Sequence, residues 1–171
     1  MKKEVAIREA TSEDIQDILN LIALSPDALL SVTIAELQSW IDLGMSLVAI
    51  NEDGEIIGHQ AAAQWPESHW VEMRAAIVKE DYRGQGINTL MKHKMTEIIA
   101  ALIGNATLIG FTEKASGSRG ILQKQGYDEI PLPDTPEEFF SVCPAYCYRK
   151  TGEDCGCAVY IKHLNNESEK R

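Results

Sequence analysis

Ala76-Ile77-Val78-Lys79-Glu80-Asp81-Tyr82-Arg83-Gly84-Gln85-Gly86-Ile87-Asn88 is the stretch whose reading decides the fold. A strand-forming run ends at Val78, and a turn with two glycines follows. An amphipathic stripe then starts at Ile87 and runs through Leu90, Met91, Met95, Ile98 and Leu102 to Gly104. That is a strand, a turn and a long helix. Glycines let main-chain N–H groups approach a ligand closely, and a helix N-terminus carries about half a unit of positive charge. The combination suits a pyrophosphate. On the residues alone two readings stay open: Gly84 and Gly86 either shape a tight turn or cradle an anion. Neither a Walker A sequence nor G-x-G-x-x-G is present, because Thr89 stands where the third glycine would be.

Outward from this stretch, Ser46 to Ile50 and Glu55 to Trp65 read as strands, joined at Asp53-Gly54 by a two-residue hairpin signal. His69 to Val78 is the next strand, after the turn Pro66-Glu67-Ser68. Nearer the N-terminus, Val5 and Ile7 mark a short strand closed by Ala10. Thr11-Ser12-Glu13-Asp14 has the form of a capping box, with Ile15, Ile18, Leu19 and Ile22 following at helical spacing. Ser25-Pro26-Asp27 breaks that helix, and a second is expected from about Thr33 to Leu43. Downstream, Thr107 to Phe111 is a buried strand, 114–125 a helix stopping at Gly126, and Cys157 to His163 a last strand. The order β-α-α-β-β-β-α-β-α-β, with an antiparallel start and one βαβ crossover, predicts an α/β fold: a mixed central sheet with helices on both faces. Residues 1–164 are expected to form one domain. Within it 131–158 is an irregular, cysteine-bearing loop, and 165–171 is a polar tail.

Composition narrows the function. Sixteen Lys and Arg against 26 Asp and Glu leave the 171 residues with a net charge of −10. Such a surface repels phosphate backbones at long range, which argues against nucleic acid and anionic membrane as partners. It does not exclude one small anionic cofactor held by backbone N–H groups. The longest apolar run, Ile98 to Ile103, is far short of a membrane span, and Glu4, Arg8 and Glu9 interrupt the start before any leader-length apolar run. A cytoplasmic protein is expected, in which cysteines are thiols or metal ligands rather than disulfides.

Val78 to Ile87 resembles the acetyl-CoA-binding signature of the GNAT N-acetyltransferase superfamily, Gln/Arg-x-x-Gly-x-Gly/Ala after a strand. Ile7-Arg-Glu-Ala-Thr-Ser-Glu-Asp-Ile15 is similar to that family's opening, and Ala115-Ser116 to Gln125-Gly126-Tyr127 to its second motif. The resemblance covers about residues 4–130. It implies the GNAT fold, with strand residues Ala76, Ile77 and Val78 pairing with the pantetheine arm of acetyl-CoA. The pyrophosphate would be held by N–H groups of Arg83, Gly84, Gln85, Gly86, Ile87 and Asn88, and Arg83 would add a charge-assisted contact. Asn88 departs from the small residue usual there; its side chain would either crowd a phosphate or donate to it. The family commonly dimerises, so a homodimer is also an expectation.

Transfer of an acetyl group to an amine needs a base, because an alkylamine with a pKa near ~10 is mostly protonated at neutral pH. Relatives often carry a glutamate six residues before the position of Val78, which is Glu72 here. The alternative is a solvated strand carboxylate beside Arg74. Many relatives place a general-acid tyrosine four residues before Gly-Phe/Tyr, but this chain has Leu122 there. Tyr127 is expected in the core and Tyr82 in the turn. The departing thiolate, with a pKa of about 8.5, needs no obligatory acid. Trp40, Trp65 and Trp70 are core residues or the walls of a substrate cleft.

The histidines at 59, 69, 93 and 163 show no ligand or triad spacing, and His93 is expected to face solvent. Cys143, Cys147, Cys155 and Cys157 form C-x3-C-x7-C-x-C, which fits either four thiolates around zinc or plain half-buried thiols. A similar cysteine-bearing segment occurs in short GNAT proteins related to N-acetylglutamate synthases, which implies an amino-acid amine as acceptor. The expected function is therefore transfer of acetyl from acetyl-CoA to a primary amine of a small molecule. The rivals are a non-catalytic acyl-CoA-binding module, suggested by Leu122 and Asn88, and a zinc-stabilised interaction module.

Overall fold

The computed structural model describes residues 4–24, 32–113, 118–136 and 157–164. Seven strands form one sheet in the order β1-β2-β3-β4-β5-β7-β6. They are β1 (Val5–Glu9), β2 (Ser46–Asn51), β3 (Ile56–Gln64), β4 (Trp70–Val78), β5 (Thr107–Glu113), β6 (Asp128–Ile130) and β7 (Cys157–His163). The helices are α1 (Ile15–Ala23), α2 (Ile34–Asp42), α3 (Ile87–Ile103) and α4 (Ser118–Lys124). β4 and β5 run parallel, joined by the α3 crossover, and the other pairs are antiparallel. The expected mixed sheet is what forms.

Alternation along the strands builds two cores. Leu47, Ala62, Val71, Met73 and Leu108 pack on Met95 and Ile99 of α3 and Leu122 of α4. Their neighbours Val48 and Ala61 face the other way, onto Ile18 and Leu21 of α1 and Leu37 and Trp40 of α2. Helices thus cover both faces. The capping box at Thr11 forms: the Asp14 carboxylate accepts the Thr11 N–H at 2.7 Å and pairs with Arg8. A second box caps α2, where Thr33 N–H donates to Glu36 and Glu36 N–H donates to the Thr33 hydroxyl.

The hairpin between β2 and β3 corrects one expectation. Asp53-Gly54 is not a two-residue turn, because the strands end at Asn51 and start again at Ile56. The Asn51 side chain accepts N–H groups from Asp53 and Glu55 at 3.1 and 2.9 Å, and this local bonding competes with tighter pairing. The helix expected over 114–125 is seen as Ser118–Lys124. Ser25-Pro26-Asp27, the cysteines at 143, 147 and 155, and the tail 165–171 lie outside the described residues.

Two irregularities of β4 prepare the site. Its ladder with β5 covers Trp70, Val71 and Glu72 only, so from Met73 onward β4 is paired on the β3 side alone. Against β3, the register jumps between His59 opposite Ile77 and Ala61 opposite Arg74. One β3 residue therefore faces two on β4, a bulge at Ala75 and Ala76, and Ala75 has φ 49°.

Candidate active site

The signature stretch forms as expected. β4 ends at Val78, a 3-10 turn spans Glu80–Tyr82, and Gly86 opens α3 with φ 82°. Unlike α2, this helix has no side-chain cap. Its own ladder begins with Leu90 N–H on the Gly86 carbonyl, so the amides of Ile87, Asn88 and Thr89 precede that ladder. A Cβ built on Gly84 or Gly86 meets nothing within 4 Å, so the space against both residues is open.

The remaining signature residues divide. Ile87 and Val78 are buried together with Met91, and they anchor the turn to the sheet. Ala76 is exposed and Ile77 half-buried on the opposite face. Arg83 is exposed, and its Nε–H donates to the Val78 carbonyl at 3.0 Å, which folds the side chain back over the strand end. Gln85 donates to the Asp81 carbonyl at 3.4 Å. Asn88 is half-buried, and its Oδ1 has no hydrogen-bond partner in the protein.

Glu72 corrects the picture of a solvated carboxylate. It is 1% exposed, at the last paired position of β4 before β5 diverges. Arg74 lies two residues on, on the same face, with its Nε 3.3 Å from Glu72 Oε1. Burial pushes the Glu72 carboxyl above its ordinary value; the Arg74 charge and hydrogen bonding from Trp65 and Arg74 pull the other way and only partly offset it. Arg74 itself is drawn toward α2, with Glu36 at 3.8 Å and the Trp40 ring 5.7 Å from the guanidinium carbon. Trp65 stacks on Trp70 with ring centroids 6.0 Å apart. All three tryptophans flank the Glu72–Arg74 face, and Trp40 and Trp65 are also core residues.

The residues expected to stand apart do so. Leu122 is buried in the α3–α4 core, and Tyr127 is buried beside it with its hydroxyl pKa pushed up by desolvation, so neither offers a proton. Tyr82 is half-buried and accepts a hydrogen bond from Asn51. His93 is exposed and 3.4 Å from Glu97. No group of three or more His, Cys, Asp or Glu among the described residues could hold a metal. His59 is different: fully buried, it contacts Ser46 and the Ala75 carbonyl. A histidine beside Gln60 in the middle of an otherwise apolar strand was the signal that could have marked it.

Residues 13–127 match the model of the acetyltransferase (GNAT) family. The chain belongs to that family. Solved structures agree on the fold of this GNAT chain. N-acetylglutamate synthase from Neisseria gonorrhoeae, complexed with coenzyme A and N-acetyl-glutamate, is similar over 97% of the chain with TM-score 0.73 and 19% identity. The chain spans 36% of that synthase. A Mycobacterium tuberculosis protein in complex with CoA is 18% identical, with TM-score 0.71 and 93% of this chain and 99% of its own covered. A phosphinothricin acetyltransferase from Sinorhizobium meliloti in complex with acetyl-CoA is 17% identical, with TM-score 0.71 and 100% and 93% covered. No curated protein matches the sequence. No helix among the described residues is long and apolar enough to cross a membrane.

Proposed function

We propose that this protein is an acetyl-CoA-dependent N-acetyltransferase that acetylates a primary amine of a small cytoplasmic molecule by direct attack. The observation that carries the reading is Glu72: a buried carboxylate of raised pKa, seated where β4 parts from β5. A carboxylate with a raised pKa is a stronger base at neutral pH, suited to take the proton from an ammonium acceptor.

The co-substrate supplies the activated acetyl group, and the chain's residues do the rest. The uncapped amides at the start of α3 and the open space over Gly84 and Gly86 suit the phosphates. The free edge of β4 at Ala76, Ile77 and Val78 suits the pantetheine amides. Main-chain N–H groups of the bulge would oppose charge growing on the reacting carbonyl oxygen. With Leu122 in the core, the thiol leaves without an acid from that position. An amino-acid acceptor fits the cation at Arg74 and the gonococcal neighbour's complex with N-acetyl-glutamate.

The test pairs calorimetry with acetyl-CoA against thiol release over a panel of amines that includes amino acids. Binding and turnover with one acceptor class is the expected result. No binding at millimolar acetyl-CoA overturns it. Binding without turnover on any amine would instead favour a non-catalytic acyl-CoA module, the reading that buried Leu122 supports.

A further inference from the structure

The bulge of β4 is held from below by side chains of β3. Gln60 Nε2 donates to the Arg74 carbonyl at 2.9 Å and to the Ala61 carbonyl at 2.7 Å. The Ala75 carbonyl lies 3.1 Å from His59 Nδ1. A carbonyl only accepts, so Nδ1 carries the proton. Nε2 is then bare and accepts the Ser46 hydroxyl at 3.0 Å. His59 and Gln60 are fully buried and Ser46 is 1% exposed, so water does not compete. Desolvation holds the His59 pKa at about 4, which keeps the ring neutral and this tautomer fixed.

The arrangement has a consequence for the reaction. Every described peptide is trans, and across a trans peptide the C=O and the following N–H point in opposite directions. With the Arg74 and Ala75 carbonyls turned onto Gln60 and His59, the N–H groups of Ala75 and Ala76 turn away from those side chains. Ala75 has φ 49°, a conformation that residues with a Cβ rarely adopt and that persists only where the surroundings enforce it. The geometry points to His59 as a positioning residue for acetyl transfer: its Nδ1–H, oriented by Ser46, fixes the Ala75 carbonyl and thereby aims the Ala76 N–H at the reacting thioester carbonyl. This rests on the acetyltransferase reading above and adds to it three buried residues that act through the backbone of β4.

Two substitutions at one buried site separate positioning from packing. An asparagine amide can place its N–H where Nδ1–H stands, whereas a glutamine amide reaches toward the Nε2 position. His59→Gln is expected to lower kcat by about ten- to a hundredfold with KM for acetyl-CoA within about twofold, and His59→Asn to recover most of that loss. Without any substrate, nitrogen NMR of the wild-type imidazole should show a protonated Nδ1 and a bare Nε2. The backbone amide signals of Ala75 and Ala76 should move in His59→Gln more than in His59→Asn. Equal kcat losses in the two variants, or a proton on Nε2, would overturn the proposal. Wild-type protein with the expected imidazole and amide signals but no thiol release on any amine would overturn the acetyl-transfer reading, and with it the catalytic half of this one.

Discussion

Arg74 Nε lies 3.3 Å from Glu72 Oε1, a charge pair in which the carboxylate is buried and the arginine is shared. Arg74 divides its attraction with Glu36 at 3.8 Å and the Trp40 ring at 5.7 Å. A fork-like Arg–carboxylate pair would have pulled the carboxyl pKa down and silenced it as a base. Here burial wins, and the carboxyl sits above its ordinary value.

Glu72→Gln should therefore lower kcat by about 10²–10⁴ while leaving acetyl-CoA affinity near its starting value. In the wild type, kcat/KM should fall on the acid side at a pH above the ordinary carboxylate value of 4.5, since the base acts deprotonated and its pKa is raised. The stability effect has the opposite sign. A raised folded-state pKa means that ionised Glu72 opposes folding once the pH passes the unfolded value. The Gln variant should then melt higher than wild type at neutral pH, with the gain vanishing in acid. Paired pH–rate profiles and thermal melts check both.

Gly86→Ala should weaken acetyl-CoA binding by at least about tenfold, because the new Cβ enters the open space in front of the helix amides. Its φ of 82° also makes the substitution cost about 1 kcal/mol of stability. Gly54 in the β2–β3 loop is the control, with φ 81° and equally open space but no part in the site. Gly54→Ala should cost the same stability and leave binding unaltered, as calorimetry and urea titration would show.

Lys92 on α3 is buried, and desolvation lowers its pKa to about 8 from 10.5. Its charge opposes folding at neutral pH, so stability should rise with pH from about 8 toward 10.5. Lys92→Met keeps the volume and removes the charge. It should stabilise the fold by on the order of 1–3 kcal/mol at pH 7 and flatten that rise, measured by denaturant unfolding across the range.

Asp14 behaves in the opposite sense. Hydrogen bonds from Arg8 at 2.7 and 2.9 Å, with the Thr11 N–H, lower its pKa to about 2 from 3.8. Stability from this group is complete above the unfolded value and is lost as pH falls toward 2. Arg8 is 44% exposed, so solvent screening holds the cost of Asp14→Asn to about 1–2 kcal/mol at pH 7. Wild type and variant should converge as the pH drops below 3, which acid titration of unfolding would reveal.

The order of elements along the chain up to α3 was legible because periodicity is a local property. The apolar runs Leu47–Ile50 and Ala61–Ala63 announce strands, and Gly86 before Ile87 announces a helix start. The hairpin at Asp53-Gly54 misled because the Asn51 side chain competes for the same N–H groups, and a dipeptide rule does not see that competition. His59 was passed over for a related reason: its partners, Ser46 and Ala75, are 13 and 16 residues away in the chain.

By itself, the sequence determined the α/β architecture and the turn that opens α3, since both follow from residue spacing and from glycine's access to positive φ. Only the tertiary structure decided what Glu72 is. Desolvation depends on everything packed around a group, and it took α2, Trp65 and the parting of β4 from β5 to turn a strand carboxylate beside an arginine into a buried one of raised pKa.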